Sequence, residues 1–76
     1  MYLGKNVKTI GKNTFKNKKK LKYVQFSGKK LKSIGNSAFK GIYSKAEFRT
    51  PKSVLSKYKR KIKKAGAPKK AKYKSL

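Results

Sequence analysis

The chain contains no cysteine and no histidine, and Glu47 is the only acidic side chain among its 76 residues. Without cysteine there is no disulfide and no thiol chemistry, so the redox compartment is left unconstrained. One carboxylate cannot form an acid–base pair or a metal site with a second acid. The serines have no histidine partner, and the glycines are not grouped into a phosphate-binding loop. We therefore predict that the protein is not an enzyme and uses no cofactor or metal.

A long apolar run is also missing. The sequence has no stretch of about 18 apolar residues, so it predicts no membrane-spanning helix. The first ten residues, MYLGKNVKTI, have no apolar core of the kind that signal peptides contain. If the natural protein is exported, this predicts that the chain is a fragment or a mature piece with an added start methionine.

Lysine is present in large excess. Against the single acid stand 25 Lys and Arg residues, which give a formal net charge of +24. Like charges repel, so this excess opposes a compact state. The same excess favours binding to nucleic acids, heparin-like glycans, teichoic acids or anionic lipid through release of their counterions. Only Arg49 and Arg60 are arginine, so base-specific recognition of nucleic acid is not predicted.

Two stretches of the chain are near copies of each other. The segment VKTIGKNTFK, residues 7–16, is followed 24 residues later by LKSIGNSAFK, residues 31–40. Five of the ten positions are identical, including an isoleucine, a glycine and a phenylalanine that a lysine-rich composition does not explain. A period of about 20–29 residues with spaced Leu, Ile and Phe is typical of leucine-rich repeats, whose turns stack and bury these side chains together.

The repeat predicts which side chains form the core. The side chains expected to face inward from the two copies are Val7, Ile10, Phe15, Leu31, Ile34 and Phe39. Gly11 and Gly35 are expected at a sharp backbone corner with positive φ. Residues 21–26 and 45–51 are predicted to form short strands, with Tyr23 on the outer side as a candidate binding residue. The inward side chains of these strands are expected to be Leu21, Val24, Phe26, Ala46 and Phe48.

The C-terminal segment predicts a helix over about residues 51–65. Thr50 has the hydroxyl of a helix cap, and Pro51 suits the first helical position. Gly66 and Pro68 are typical of the residues that end a helix.

One face of this predicted helix is apolar, because Leu55, Tyr58 and Ile62 lie along one stripe. After the helix, residues 69–76, KKAKYKSL, alternate in a period of two and predict a final strand. Helix and strand together would cap the open edge of a repeat stack.

The segment LKSIGNSAFKG and the short strand that ends at Pro51 resemble the BspA-type leucine-rich repeats of surface and secreted proteins from gut and oral bacteria. The resemblance covers about residues 3–50, and its signature is the IG..AF pattern, from which the first copy departs at Thr14. The segment after Pro51 also resembles the C-terminal end of such proteins. The resemblance implies a non-catalytic binding or adhesion module at the bacterial surface or in the secreted fraction.

The predicted fold is α+β and mainly β: a short leucine-rich-repeat solenoid of about two repeats with a C-terminal capping helix and a final strand. Residues 1–50 would hold the repeats, and residues 51–76 the lysine-rich cap. About three repeats are usually needed for a stable stack, so we expect this chain to be the tail of a longer solenoid. We expect a monomer whose uncapped N-terminal end is open to edge-to-edge association.

The basic residues of the C-terminal segment are the predicted contact site. We expect a cationic binding module that docks electrostatically on polyanions such as cell-surface glycans and anionic membranes, with no small-molecule substrate. The residues predicted to make the contact are Lys52, Lys57, Lys59, Arg60, Lys61, Lys63, Lys64, Lys69, Lys70, Lys72 and Lys74.

Two other functions are compatible with the sequence. A membrane-active protein of the antimicrobial type would use the predicted helix 51–65, which has seven basic residues but a narrower apolar face than interfacial helices usually carry. A nonspecific nucleic-acid binder would need only the charge, and no motif argues for it.

Overall fold

The computed structural model describes residues 1–76 and contains six short strands, a 3₁₀ turn and one α-helix. The strands are β1 (Tyr2–Leu3), β2 (Thr9–Ile10), β3 (Tyr23–Phe26), β4 (Ser33–Ile34), β5 (Glu47–Thr50) and β6 (Lys72–Ser75). The 3₁₀ turn spans Lys52–Val54, and the α-helix α1 spans Leu55–Lys64. The predicted mixture of short strands with one short helix is confirmed, including strands within residues 21–26, 45–51 and 69–76.

All the strands pair in parallel, and the register follows the 24-residue sequence repeat between β2 and β4 and between β3 and β5. The four-stranded sheet has the order β1-β3-β5-β6, and the two-stranded sheet pairs β2 with β4. Ile10 lies beside Ile34, and Val24 lies beside Phe48, so each pair is separated by 24 residues in the chain. We call the backbone of one repeat a pass. Successive passes therefore stack on each other, one repeat apart in the sequence.

One apolar cluster joins the two sheets and α1. Its buried members are Ile10, Val24, Phe26, Leu31, Ala38, Phe39, Ile42, Ala46, Phe48, Tyr58, Ile62 and Ala65. A row of rings runs through it: Phe15 stacks on Phe39 at 5.5 Å, Phe39 meets Phe48 edge-on at 5.1 Å, and Phe48 stacks on Tyr73 at 5.5 Å. The predicted inward positions all belong to this cluster or pack against it, but Val7, Phe15, Leu21 and Ile34 are only partly buried. The core therefore forms from side chains that recur at the repeat spacing.

The start of the helical segment differs from the prediction. Thr50 is fully buried at the end of β5, where it pairs with Ser75, and its hydroxyl donates to the Pro51 carbonyl at 3.1 Å. Pro51 has φ −56° and ψ 138°, which is extended backbone and not helix. The predicted cap at Thr50 is wrong because strand pairing continues through that residue. The predicted helix over 51–65 is α-helical only from Leu55 to Lys64.

The helix ends as the sequence predicts. Gly66 has φ +87°, its amide donates to the Lys63 carbonyl at 3.1 Å, and the Ala67 amide donates to the Ile62 carbonyl at 3.4 Å. This pair of hydrogen bonds is the Schellman arrangement, which favours glycine at the left-handed residue. The chain is thereby turned back toward β6.

Gly11 and Gly35 do not have the positive φ predicted for them. The left-handed residues of the repeats are instead Asn13, Asn17, Ser37 and Gly41, which form two pairs one repeat apart. Gly35 is required for a different reason, because a Cβ there would overlap the backbone of Lys12 in the preceding pass. The glycine therefore allows close stacking and does not make a left-handed corner.

The same argument separates Gly28 from Gly4, its counterpart 24 residues earlier. A Cβ on Gly28 would overlap the carbonyl group of Lys5, whereas a Cβ on Gly4 would meet no atom within 4 Å. Glycine at this repeat position is thus needed only where another pass of the backbone lies against it.

Gly28→Ala is expected to lower the free energy of unfolding by about 1–3 kcal/mol, because the added methyl meets backbone and not a flexible side chain. In a domain of this size each kcal/mol corresponds to a fall in Tm of about 4–8 °C. Gly4→Ala is the matched control and should stay within about 0.5 kcal/mol of wild type. Thermal and urea denaturation followed by circular dichroism measure both variants. An equal loss in the two would contradict the stacking explanation.

Candidate functional site

Helix α1 is held against the repeats by buried side chains, which determine the residues that face outward. Tyr58 and Ile62 are fully buried. The Tyr58 hydroxyl donates to the Gly28 carbonyl at 3.2 Å and accepts from the Leu31 amide at 3.1 Å. Two of the three residues of the predicted apolar stripe are therefore part of the core, whereas the third, Leu55, is half-buried and lies outside the apolar cluster. The start of α1 is fixed beside the loop that joins β3 to β4.

The predicted contact residues are accessible but do not form a single site. Ten of the eleven are exposed, and Lys61 is half-buried. Lys72 and Lys74 project from β6 on the same side of the four-stranded sheet as Glu47 and Arg49, their register partners. Lys52 and Lys70 line no cleft.

A second group of predicted residues surrounds the ring of Tyr73. The ammonium groups of Lys59 and Lys63 lie 5.4 and 5.9 Å from its centroid, which is within cation–π range. Lys63 and Lys69 also line a recess of 320 Å³ with Ala67 and Pro68. These lysines help to cover the last strand and are partly engaged within the protein.

The remaining predicted residues lie along two adjoining clefts. The first lysine cleft, of 530 Å³, lies between the β3–β4 loop and the start of α1; it is lined by Lys8, Lys29, Lys30, Leu31, Lys32 and Lys57. The second lysine cleft, of 430 Å³, runs along α1 and is lined by Ser56, Lys57, Arg60, Lys61 and Lys64. Because Lys57 lines both clefts, they form one continuous surface, which we call the basic band.

Four lysines of the first cleft were not predicted as contact residues: Lys8, Lys29, Lys30 and Lys32. The sequence feature that could have indicated them is the 24-residue spacing between equivalent positions of the repeat. Lys8 and Lys32 are 24 residues apart, and the Lys32 amide donates to the Lys8 carbonyl at 2.6 Å. Asn6 and Lys30 have the same separation, and the Lys30 ammonium donates to the Asn6 side-chain oxygen at 3.2 Å. Residues one repeat apart lie side by side on the stack, so repeated lysines become neighbours.

The outer face of the four-stranded sheet holds the only acidic side chain. Glu47 accepts a hydrogen bond from Arg49 at 2.6 Å, and the Lys74 ammonium lies 3.5 Å from its other oxygen. Tyr23, predicted to be exposed, is half-buried, and its hydroxyl donates to the Gln25 side-chain oxygen at 2.6 Å. Lys74 is thus the one predicted contact residue that pairs with a carboxylate.

Two pKa shifts follow from this packing. The Arg49 guanidinium, hydrogen-bonded to Glu47, holds the pKa of that carboxyl below its ordinary value of 4.5, and Lys74 acts in the same direction. Burial raises the pKa of the Tyr73 phenol, whose hydroxyl is enclosed without a hydrogen-bond partner. Since the single acidic side chain is ionised and paired, no unpaired acidic side chain on the surface repels an approaching anion.

The chemistry of these surfaces supports binding. The structure holds no group of three or more His, Cys, Asp or Glu side chains placed to bind a metal ion. The basic band is lined mainly by lysines, whose ammonium groups are hydrogen-bond donors for phosphate, sulfate or carboxylate oxygens.

The structure gives the membrane-active interpretation no free apolar helix face. That interpretation required the stripe of α1 to be available, whereas Tyr58 and Ile62 are fully buried. The exposed large apolar side chains are Met1, Tyr2, Tyr43 and Leu76, and none belongs to α1. Neither the length nor the apolar content of any helix is enough to cross a membrane.

Comparison with known families identifies the repeats. The family model described as BspA type Leucine rich repeat region (6 copies) matches residues 1–64, which confirms the resemblance seen in the sequence. Repeats of this family are generally non-catalytic binding modules. No curated protein matches the chain, and no solved structure does.

Ile62→Ala is expected to lower the free energy of unfolding by about 2–5 kcal/mol, because a fully buried side chain is removed from the core. Lys64→Ala, on the exposed face of the same helix, should change it by less than about 0.5 kcal/mol. Urea denaturation followed by circular dichroism measures both. A small effect of Ile62→Ala would mean that the stripe is not part of the core and would restore the membrane-active interpretation.

Lowering the pH is expected to reduce the free energy of unfolding through protonation of one side chain, Glu47. The pKa of Glu47 is lowered on folding, so its ionised form adds stability above the unfolded-state pKa. This stability is lost as the pH falls through the lowered folded-state pKa. The Tm of the wild-type chain should therefore be steady down to about pH 5 and fall below it, at constant ionic strength. Glu47→Gln should have a lower Tm at pH 7 and a flatter acid profile by calorimetry; an equally steep fall would contradict the assignment.

Proposed function

We propose, since the chain belongs to the BspA-type leucine-rich repeat family, that it is a non-enzymatic module that docks electrostatically on polyanionic surfaces or partners. Its stacked passes form a short solenoid of about two repeats over residues 1–50, which the lysine-rich segment 51–76 caps. Proteins of this family are typically bacterial surface proteins, which supports a secreted or surface location for this chain. Anionic glycans and anionic membranes are the polyanions present in that setting.

The observation that carries this proposal is that folding leaves the positive charge exposed and almost wholly unneutralised. The 25 Lys and Arg residues share one side-chain carboxylate, which contacts only Arg49 and Lys74. Each ammonium group that meets a phosphate or sulfate releases counterions from the polyanion, and this release supplies the free energy of binding. The contact is therefore expected to be strong in sum and steeply dependent on salt.

The C-terminal segment suits this role because its packing separates apolar from basic residues. Tyr58 and Ile62 face the core, whereas Lys57, Arg60 and Lys64 remain exposed on other faces of α1. The proposed contact surface is therefore presented by a helix whose position is already fixed. Fewer side chains and no helix have to be ordered on binding, which lowers its entropic cost.

Self-repulsion gives the proposal a second consequence. A compact body with a charge of +24 is destabilised by its own field. A bound polyanion relieves that repulsion and binds the folded state preferentially, so it should raise the Tm of the protein.

The test compares binding to anionic and zwitterionic vesicles at about 0.15 M and about 0.5 M salt, with dye release and far-UV circular dichroism recorded together. We expect binding to the anionic vesicles only, a loss of at least about tenfold in affinity at the higher salt, no dye release and an unchanged spectrum. Binding to both vesicle types, or dye release with a gain of helix, would contradict electrostatic docking and favour membrane insertion.

A further inference from the structure

We infer that the basic band is a binding site for phosphodiester chains that carry no bases, such as polyol phosphates. The inference rests on the proposed function, since it names the surface and the ligand chemistry of the electrostatic docking. The inference places the main ligand contact where the C-terminal segment meets the repeats, and not on the C-terminal segment alone.

Three separate parts of the chain converge on the first lysine cleft. Lys8 comes from the first copy of the repeat, Lys29, Lys30 and Lys32 come from the loop between β3 and β4, and Lys57 comes from α1. These residues line one recess of 530 Å³, and Lys57 also lines the second cleft. A single flexible chain can therefore place several successive phosphates against them.

The walls of the first cleft are held in place by hydrogen bonds. The fully buried Tyr58 hydroxyl bridges the Gly28 carbonyl and the Leu31 amide, which fixes α1 against the loop. On the other wall, the Lys32 amide donates to the Lys8 carbonyl at 2.6 Å. The site therefore exists before a ligand arrives, and little backbone has to be ordered on binding.

The side chains of the band indicate the chemistry of its ligand. Arg60 is its only arginine, and the first cleft contains none. Lysine binds phosphate as a point charge, whereas base reading in nucleic acids relies on the planar fork of arginine. Neither cleft is lined by an aromatic ring, so the band offers no platform on which an unpaired base could stack. These features favour recognition of the phosphodiester backbone alone.

A nucleic-acid duplex fits the band less well than a flexible chain does. The duplex is stiff over about 150 base pairs, and its phosphates lie on a broad convex surface. The band runs along two open clefts of a body whose extents are only 27 × 22 × 19 Å, so it offers a duplex little contact area. A polyol phosphate, which is narrow and flexible, can enter such clefts.

The experiment uses two variants of the full chain with equal net charge. The cleft variant carries Lys29→Gln, Lys32→Gln and Lys57→Gln. The control variant carries Lys16→Gln, Lys18→Gln and Lys20→Gln, at exposed positions that line neither cleft. Each variant has three positive charges fewer than the wild-type +24. The probes are a glycerol-phosphate oligomer and an oligothymidylate with the same number of phosphates, titrated at about 0.15 M salt by calorimetry.

We expect the cleft variant to lose at least about tenfold in affinity for the glycerol-phosphate oligomer, and the control variant less than about threefold. The slope of log Kd against log salt should fall by about 2 in the cleft variant, since each lost phosphate contact contributes about 0.7. The wild-type chain should bind the glycerol-phosphate oligomer at least as tightly as the oligothymidylate.

Tyr58→Phe tests the positioning role of the tyrosine at unchanged charge. This variant keeps the ring but loses both hydrogen bonds of the hydroxyl. We expect the salt slope for the glycerol-phosphate oligomer to fall although the net charge is the same, because the lysines no longer converge on one recess. An unchanged slope and affinity would overturn the positioning role.

The outcomes separate this inference from the proposed function. Equal losses in the cleft and control variants would overturn the site, while electrostatic docking by the whole surface would stand. Tighter binding of oligothymidylate would overturn the base-free ligand and favour a nucleic-acid partner. If the wild-type chain bound neither probe in a salt-dependent way, both the inference and the proposed function would fail.

Discussion

The close parallel contact between successive passes of the backbone is the constraint on which the rest of the structure depends. Equivalent residues of neighbouring passes lie side by side at a spacing of 24 residues, as Ile10 and Ile34 do. Backbone hydrogen bonds join the passes outside the strands too, for example from the Phe15 amide to the Ala38 carbonyl at 2.9 Å. This stacking places side chains of one kind in rows. A row of apolar residues becomes the core, and a row of lysines becomes a basic surface.

Apolar packing has to hold this chain together against its own charge. The only ion pairs involve Glu47, and pairs of this partly exposed kind contribute little to stability. The core contains no charged side chain, and the hydroxyls of Thr50 and Tyr58 are hydrogen-bonded, whereas the Tyr73 hydroxyl at its edge has no partner. Because the positive charge is excluded from the core, it is concentrated on the surface. The feature that weakens the fold is thus the feature on which the proposed polyanion binding depends.

The sequence predicts the parts of the structure that depend on local pattern. The repeat register, the buried Phe39 and Phe48, and the end of the helix at Gly66 all follow from spacing and residue type. The predicted cap at Thr50 is wrong because pairing with β6, whose residues lie 25 positions further on, outweighs the local preference for a hydroxyl before proline.

Only part of the basic band could be predicted from the sequence, because the 24-residue spacing places Lys8 beside Lys32 but does not place Lys57 near them. Lys57 lies on a helix and Lys8 in the first repeat, and no local pattern indicates that the hydroxyl of Tyr58 brings these regions together. The sequence correctly predicts that Gly35 is needed, but not the reason. Glycine is required there by close contact with a neighbouring pass that is distant in sequence, and not by positive φ.

The open space beside Gly4 has a consequence for how such chains lengthen. A further copy of segment 23–46 placed before the first repeat would find room there for its backbone, and each copy would bring five more lysines. The number of repeats would then set the avidity of multivalent binding, and duplication of a repeat would be enough to change it.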